Sequence, residues 1–470
     1  MTNRRPLGRL VVVLCVINVV VALDFLGASV LLHSVGRDLH MSTAELTWVV
    51  NGYLLTLAAP LIAMGGCADS VGAIRMTRMG LVVFALGALA SGLAGSAEVL
   101  IVGRMAQGLG ASALAATGLS LVSSTAAEGD RGRVVGIWAG VGAVGSAAGP
   151  LLGGSLAALG SWRIFFLIDV PIAIMMLVLL RRARDPGRPA QGLEPRAGST
   201  VWSGLKPAAL LTVGLGFAVF AMLAGPDSGW GSTAVALPAA VAVALLAAFV
   251  VLDRRSARPI FDRNLFGRRY SAIAATAFVG NGAFAVVSFF ASLYLQQVQD
   301  MDPLEAGAVF LAMTIPLVVL SPLVGRVTRP STVRPLMAGG LVVVAGSVAL
   351  FAVLSTSTGT AILVGALVLT GVGQSVVFNV SNVAAMDGDV NVAGLESGMI
   401  NEVRQLGALI GLAVVGAFFA AGQHHPGGNA AAAFTHALVL PSVLLAGVCL
   451  AVAATVLAFG NGQPAARSAG

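Results

Sequence analysis

The chain has 470 residues, of which 57% are hydrophobic and only 10% charged, with a net charge of +7. A soluble domain carries roughly 25% charged residues, and a chain this apolar has too few polar groups to cover a water-facing surface. The positive balance does not mark a nucleic-acid binder, because the basic residues sit in short segments between apolar runs.

Those runs are about 20 residues long and unbroken, whereas barrel strands would alternate apolar and polar over about ten. Helices satisfy their own backbone hydrogen bonds in lipid. The expected fold class is therefore an all-α polytopic membrane protein. Arg4, Arg5 and Arg9 precede an apolar stretch at 10–32. It is too long for a signal-peptide core and no small-residue cleavage site follows, so it reads as the first span. Thirteen more follow at 46–66, 76–95, 99–122, 134–158, 164–180, 207–225, 233–252, 270–296, 304–325, 335–355, 359–384, 397–421 and 437–459. Starting from a cytoplasmic N-terminus and alternating sides puts 22 of the 27 basic residues in inner segments and Arg78 just within the inner end of its span, as the positive-inside rule requires.

Two Arg-rich inner segments bracket one pair of spans. The expected organisation is a cytoplasmic N-terminus 1–9, a six-helix half 10–181, a linker 182–206, two inserted helices 207–252, a linker 253–269, a second six-helix half 270–459 and a cytoplasmic tail 460–470. An internal repeat supports two related halves. Gly80-Leu81-Val82-Val83 recurs at Gly340-Leu341-Val342-Val343, 260 residues on; Gly136, Gly145 and Gly149 recur at Gly398, Gly407 and Gly411, 262 on; Pro60-Leu61 recurs at Pro322-Leu323, also 262 on. Repeated halves around a midplane cavity are a common plan of secondary transporters.

Asp24 is an acid inside the first span, where an ionised carboxylate is costly unless paired or facing water. It is a candidate proton carrier, unless the span ends early and leaves it wetted at the rim. Arg104 lies inside the fourth span. At about 1.5 Å per residue, Asp24 is roughly 12 Å and Arg104 roughly 8 Å below the outer ends of their spans, so the two are at similar depth. The alternative for Arg104 is snorkelling to the outer headgroups. The loop from Gly65 to Gly72 offers tight turning at its glycines and a helix cap at Asp69. In the fifth span a GxGxxG match (Gly140, Gly142, Gly145) lies within a lipid-length helix with no strand before it, which excludes nucleotide binding. Gly145, Gly149 and Gly153, four apart, make a groove for close helix packing, and Pro150 invites a bend. Glu402 and Arg404 in the thirteenth span either line a cavity, neutralise each other, or sit in a first turn still in water. Asn281 and Asn379 are polar residues in apolar spans, Asp169 in the sixth is ambiguous, and His424 and His425 read as plain loop rather than a metal site. Cys15, Cys67 and Cys449 show no paired framework and are expected as free thiols.

Together these residues resemble the major facilitator superfamily, specifically its fourteen-span drug:proton antiporter branch. Leu23-Asp24 is similar to the acidic start of the branch's first-span motif. Gly65, Ala68, Asp69, Gly72 and the following Arg75 are similar to its inner-loop signature. Arg104, Gln107, Gly108 and Gly110 match RxxqGxG, and Gly145, Gly149, Pro150, Gly153 and Gly154 match the antiporter motif GxxxGPxxGG. Trp162-Arg163-Ile164-Phe165-Phe166 and Arg404-Gln405-Leu406-Gly407 are similar to two further signatures. The second half departs from the first: Arg329 stands where the repeat would place an acid, and Leu367 near a counterpart of Arg104. Asp169 stands where Asn is common.

The resemblance implies a major facilitator fold with alternating access by rocking halves. Proton entry would drive export of a small organic compound such as a drug, antibiotic or other natural product. It implies proton coupling at Asp24 and Arg104 and an inner-face latch at Asp69. Separately, Gln107, Asn281, Asn379, Glu402 and Arg404 are candidates to line the cavity. The expectations are no enzyme activity and no cofactor beyond the proton gradient. The expected partners are a small-molecule substrate and the lipid bilayer, with no nucleic acid. A monomer in the inner or plasma membrane with both termini cytoplasmic is expected. A proton-coupled importer on the same fold is the alternative.

Overall fold

Pro60 divides the second predicted span. It has no N–H to donate and its ring crowds the preceding turn, so the span expected at 46–66 is two helices, α2 (Thr43–Ala58) and α3 (Leu61–Val71). The computed structural model describes residues 5–125, 131–159, 161–183, 202–255, 267–329, 331–356, 360–386, 393–423 and 430–458, and these are helical nearly throughout. Before α2 comes α1 (Arg5–Asp38). After α3 come α4 (Ala73–Gly92), α5 (Ala97–Thr125), α6 (Arg131–Ala158), α7 (Arg163–Leu167), α8 (Asp169–Leu180), α9 (Trp202–Ser228), α10 (Thr233–Arg255), α11 (Arg268–Gln297), α12 (Pro303–Val309), α13 (Leu311–Val327), α14 (Val333–Phe351), α15 (Thr360–Met386), α16 (Ala393–Gln423) and α17 (Ala430–Ala458). The sixth and tenth spans are also tandem pairs, α7 with α8 and α12 with α13. Thirteen stretches among the described residues are long and apolar enough to cross a membrane. The fourteenth crossing is the α2–α3 pair, whose pieces of 16 and 11 residues are each too short alone.

The outward faces are as apolar as the interior. Leu86, Val102, Leu237 and Val443 are exposed, which water would penalise and lipid does not. The chain is a multi-pass membrane protein. Helices α1–α8 pack on one another, as do α11–α17, and α9 leans on both α2 and α16. Most of the two predicted linkers and the tail lie outside the described residues.

The repeat seen in sequence recurs as packing. Ser42 and Glu45 form a capping box at the start of α2, and Asp302 and Glu305 form another at α12, 260 residues on. The Tyr53 carbonyl seats on Gly108, and the Met313 carbonyl seats on Gly371 in the same way. Along the α1–α6 seam, a Cβ at Gly145 would stand 2.7 Å from the Val19 carbonyl and one at Gly149 2.7 Å from that of Leu23. Along the α11–α16 seam, Gly407 faces Phe278 and Gly411 faces Gly282. Glycines four apart let the backbones touch in both seams. The Pro60–Pro322 match does not carry over. Pro322 lies inside α13, and the tenth span breaks at Phe310 instead.

The two groups of helices meet where α1, α6 and α11 finish and α12 begins. Ser292 Oγ donates to the Ser29 carbonyl at 2.6 Å, and Gln296 Nε2 donates to the Val30 carbonyl at 2.9 Å. The Pro303 carbonyl seats on Gly154, and the Pro150 carbonyl on Gly307. The molecule is closed at this end.

Candidate functional site

Small residues in α5 bring Arg104 into the middle of its group. Gly103 lies against Ser91 of α4, Gly108 against the backbone of α2, and Gly110 against Phe84 of α4. With no Cβ in the way, α5 sinks between its neighbours and carries Arg104 into a dry interior. Gln107, three residues on, shares its face.

Arg104 Nη1 donates to Asp24 Oδ2 at 2.6 Å, and both side chains are essentially fully buried. The position of Asp24 in α1 is therefore not a wetted rim. Arg104 Nη1 also donates to Gln107 Oε1 at 3.1 Å, and Nε donates to the Val49 carbonyl at 3.3 Å. Gln107 Nε2 reaches Asp24 Oδ1 at 3.4 Å, and Ser91 Oγ donates to Gln107 Oε1 at 3.1 Å. The guanidinium lies 4.3 Å from the Tyr53 ring centroid and 5.5 Å from that of Phe166. A buried pair of this kind holds only while both partners stay and both remain charged. Protonation of Asp24 would cancel the charge that faces Arg104, whose bonds to Gln107 and the Val49 carbonyl do not involve it.

Tyr53 was not singled out by the sequence, and Phe166 only as part of the segment 162–166, with no role given. An aromatic in an apolar span carries no mark of which guanidinium it will meet. Asp169 was named there without a role, and the structure buries it at the start of α8, in electrostatic reach of Asp24 and Arg104.

The second half holds a different cluster. Arg404 is buried, with Nη2 donating to Asn382 Oδ1 at 2.8 Å and Ser381 Oγ at 3.3 Å, and Nη1 to Asn401 Oδ1 at 3.4 Å. Its guanidinium lies 4.2 Å from the Phe378 ring centroid. Asn281 Nδ2 donates to the Arg404 carbonyl at 2.9 Å and Asn281 Oδ1 accepts from Gln374 Nε2 at 3.2 Å. Of the three alternatives for Glu402 and Arg404, two are corrected. Both side chains are buried rather than in a wet first turn, and Arg404 is held by amides and a hydroxyl rather than by Glu402. Asn379 bonds back to the Ser375 carbonyl of its own helix at 2.7 Å.

The seam registers locate the counterparts. The shift of 259 residues from Leu23 to Gly282 carries Asp24 to Ala283, and that of 263 from Gly108 to Gly371 carries Arg104 to Leu367. The ion pair thus has an apolar equivalent in the second half.

In the inner-loop signature, Gly72 joins α3 to α4 with φ at +96°, a conformation that favours glycine. Gly65 lies within α3 and Arg75 is exposed on α4, while the Asp69 side chain and both His424 and His425 lie outside the described residues. Arg78 Nη2 donates to the carbonyls of Leu180 at 2.5 Å and Ala183 at 3.0 Å, which ties α4 to the end of α8. In the antiporter motif, Gly145, Gly149 and Gly153 face α1 while Gly154 and the Pro150 carbonyl face α12. One helix thereby touches both groups. The three cysteines are buried and none is in a disulfide.

The sequence model of the Major Facilitator Superfamily matches residues 14–412. The chain is 32% identical over 404 residues to the multidrug resistance protein Stp of Mycobacterium tuberculosis (strain CDC 1551 / Oshkosh), covering 85% of this chain and 73% of Stp. It is 34% identical over 420 residues to the cephamycin export protein CmcT of Amycolatopsis lactamdurans, covering 86% of this chain and 83% of CmcT. In fold it is similar to an inward-facing, occupied crystal structure of a bacterial homologue of the human lysosomal transporter Spinster, with a TM-score of 0.67, 14% identity and 97% of each chain covered.

Proposed function

The chain belongs to the Major Facilitator Superfamily, and we propose from that premise that it exports a small organic compound, such as an antibiotic or other natural product, in exchange for protons. A family of transporters and a fold of membrane helices support a transporter rather than an enzyme. The names of its relatives, given for multidrug resistance and for cephamycin export, support the outward direction. The observation that carries the proton reading is the buried Asp24–Arg104 pair at 2.6 Å, the one pair of opposite charges fully buried among the described residues.

In this reading the protein sits in the cell's inner membrane as a monomer with both termini cytoplasmic, and the closed end faces outward. A proton arriving on Asp24 cancels its charge. Arg104 then loses its strongest partner, and the seats of α6 on α1 and α12 let the two groups of helices rock. The proton reaches Asp24 from outside, where substrate has left, and departs inward, where the pair re-forms and the next substrate binds. The Arg404 cluster, held by neutral groups, shapes the cavity from the second half.

The test has two stages. A susceptible host expressing the chain is screened for resistance against a chemically broad antibiotic panel. The compound to which it confers resistance is then the probe in everted vesicles energised with a pH gradient. Accumulation that collapses with the gradient, and that Asp24→Asn abolishes without loss of folded protein, is the expected result. Accumulation indifferent to the gradient would overturn proton coupling, and accumulation only in whole cells would reverse the direction.

A further inference from the structure

The proton reading uses one carboxylate, and the same neighbourhood holds another. Asp169 opens α8, is 2% exposed, and has an Oδ2 with no hydrogen-bond partner among the described residues. Phe166, one turn earlier, lies against the Arg104 guanidinium, which places Asp169 at the edge of the Asp24 site. Asp169 interacts electrostatically with Asp24 and Arg104, and the Tyr53 hydroxyl, itself buried and unpartnered, interacts with all three. No other charge on the packed elements reaches it. Arg163 at the start of α7 is engaged with Asp38, and Arg78 of α4 binds the carbonyls at the far end of α8. α7 runs into α8 through a helical Ile168, so no open helix N-terminus offers Asp169 its dipole either.

The count of charges then decides the matter. Two buried carboxylates lie in electrostatic range of one guanidinium, and that guanidinium is hydrogen-bonded to Asp24. Two acids in such a site do not both ionise, and an unpartnered buried charge is the least stable arrangement available.

We propose that Asp169 is a second proton-carrying residue of this site. While Arg104 holds Asp24 as a carboxylate, Asp169 keeps its O–H bond. When the site is wetted during the cycle, that bond breaks, the proton passes to water and Asp169 is left as a carboxylate; reprotonation reverses the step. The transported-proton pool is thus a shared property of Asp24 and Asp169 rather than of one residue. This rests on the proton-coupled reading above.

Infrared difference spectroscopy of the full-length protein in nanodiscs tests it, because a protonated carboxyl has a C=O stretch that a carboxylate lacks. The wild-type spectrum at neutral pH should contain such a band, Asp169→Asn should remove it, and Asp169→Glu should move it. The Glu variant serves should the Asn variant fail to fold. A carboxyl region identical in wild type and both variants would overturn the assignment. The vesicle experiment decides the other reading separately: gradient-driven accumulation with an unchanged spectrum sinks Asp169 alone.

Discussion

The carbonyl of Pro303 in α12 rests on the α-carbon of Gly154 in α6, leaving room for a hydrogen and none for a methyl group. The contact is reciprocated one turn away, where the Pro150 carbonyl rests on Gly307. Two groups of helices are therefore brought together by backbone meeting backbone, on the helix that also lines the seam with α1.

Gly154→Ala and Gly307→Ala should each hold this end apart. A methyl placed against a carbonyl forces a backbone shift, of the kind that costs about 1–3 kcal/mol. Spin labels at Ala158 and Leu304, both exposed beside the contact, should report a longer distance distribution in the variants, together with lost transport. An unchanged distribution would show that the seat is not what closes the end.

Breaking the Asp24–Arg104 pair should be asymmetric. Arg104→Ala leaves a buried carboxylate alone and should cost about 3–5 kcal/mol. Replacing both residues by amides, Asp24→Asn with Arg104→Gln, should recover much of that stability in thermal unfolding of the reconstituted protein, while gradient-driven transport stays absent. A double variant no more stable than Arg104→Ala would mean that the uncompensated carboxylate is not what the single variant loses.

The other ion pair should behave differently. Arg163 Nη1 meets Asp38 Oδ2 at 2.6 Å, but the side chains are 33% and 46% exposed. Water and salt screen such a pair, and Arg163→Gln should cost less than about 1 kcal/mol. The same thermal unfolding measurement checks it, and a cost approaching that of Arg104→Ala would count against the distinction.

Gly72→Val should strain the α3–α4 connection, since φ of +96° is rarely adopted by a β-branched residue. The expected cost is about 1–3 kcal/mol, seen as reduced yield of folded protein. Gly65→Ala is the control. Its Cβ would meet nothing within 4 Å, and yield should be unchanged.

Much of this site was legible because of direction. The first span runs outward and the fourth inward, so residue counting alone put Asp24 and Arg104 at one depth, and the structure places them in contact. The glycines of the fifth span also announced a packing face, although not that Gly154 would touch the other half. What stayed hidden depends on helix rotation and neighbour choice. Tyr53 stacks on Arg104 because α2 is rotated to present it, which no single span records. Pro60 breaks a helix while Pro316 and Pro322 sit inside one, since neighbours in a bundle can make good what a proline removes. Mutual neutralisation was one of three readings open for Glu402 and Arg404, but residues two apart do not share a helix face.

The closed end has a consequence for the medium in which the protein works. The described contacts that seal it are a hydroxyl on a carbonyl, an amide on a carbonyl, and two carbonyls on glycines. None of these is an ion pair, so dissolved electrolyte, which weakens exposed charges over a Debye length of about 8–10 Å, has only the electrostatic interaction of His33 with Asp300 to weaken there. A gate of this construction should open and shut at similar rates in dilute and in briny surroundings.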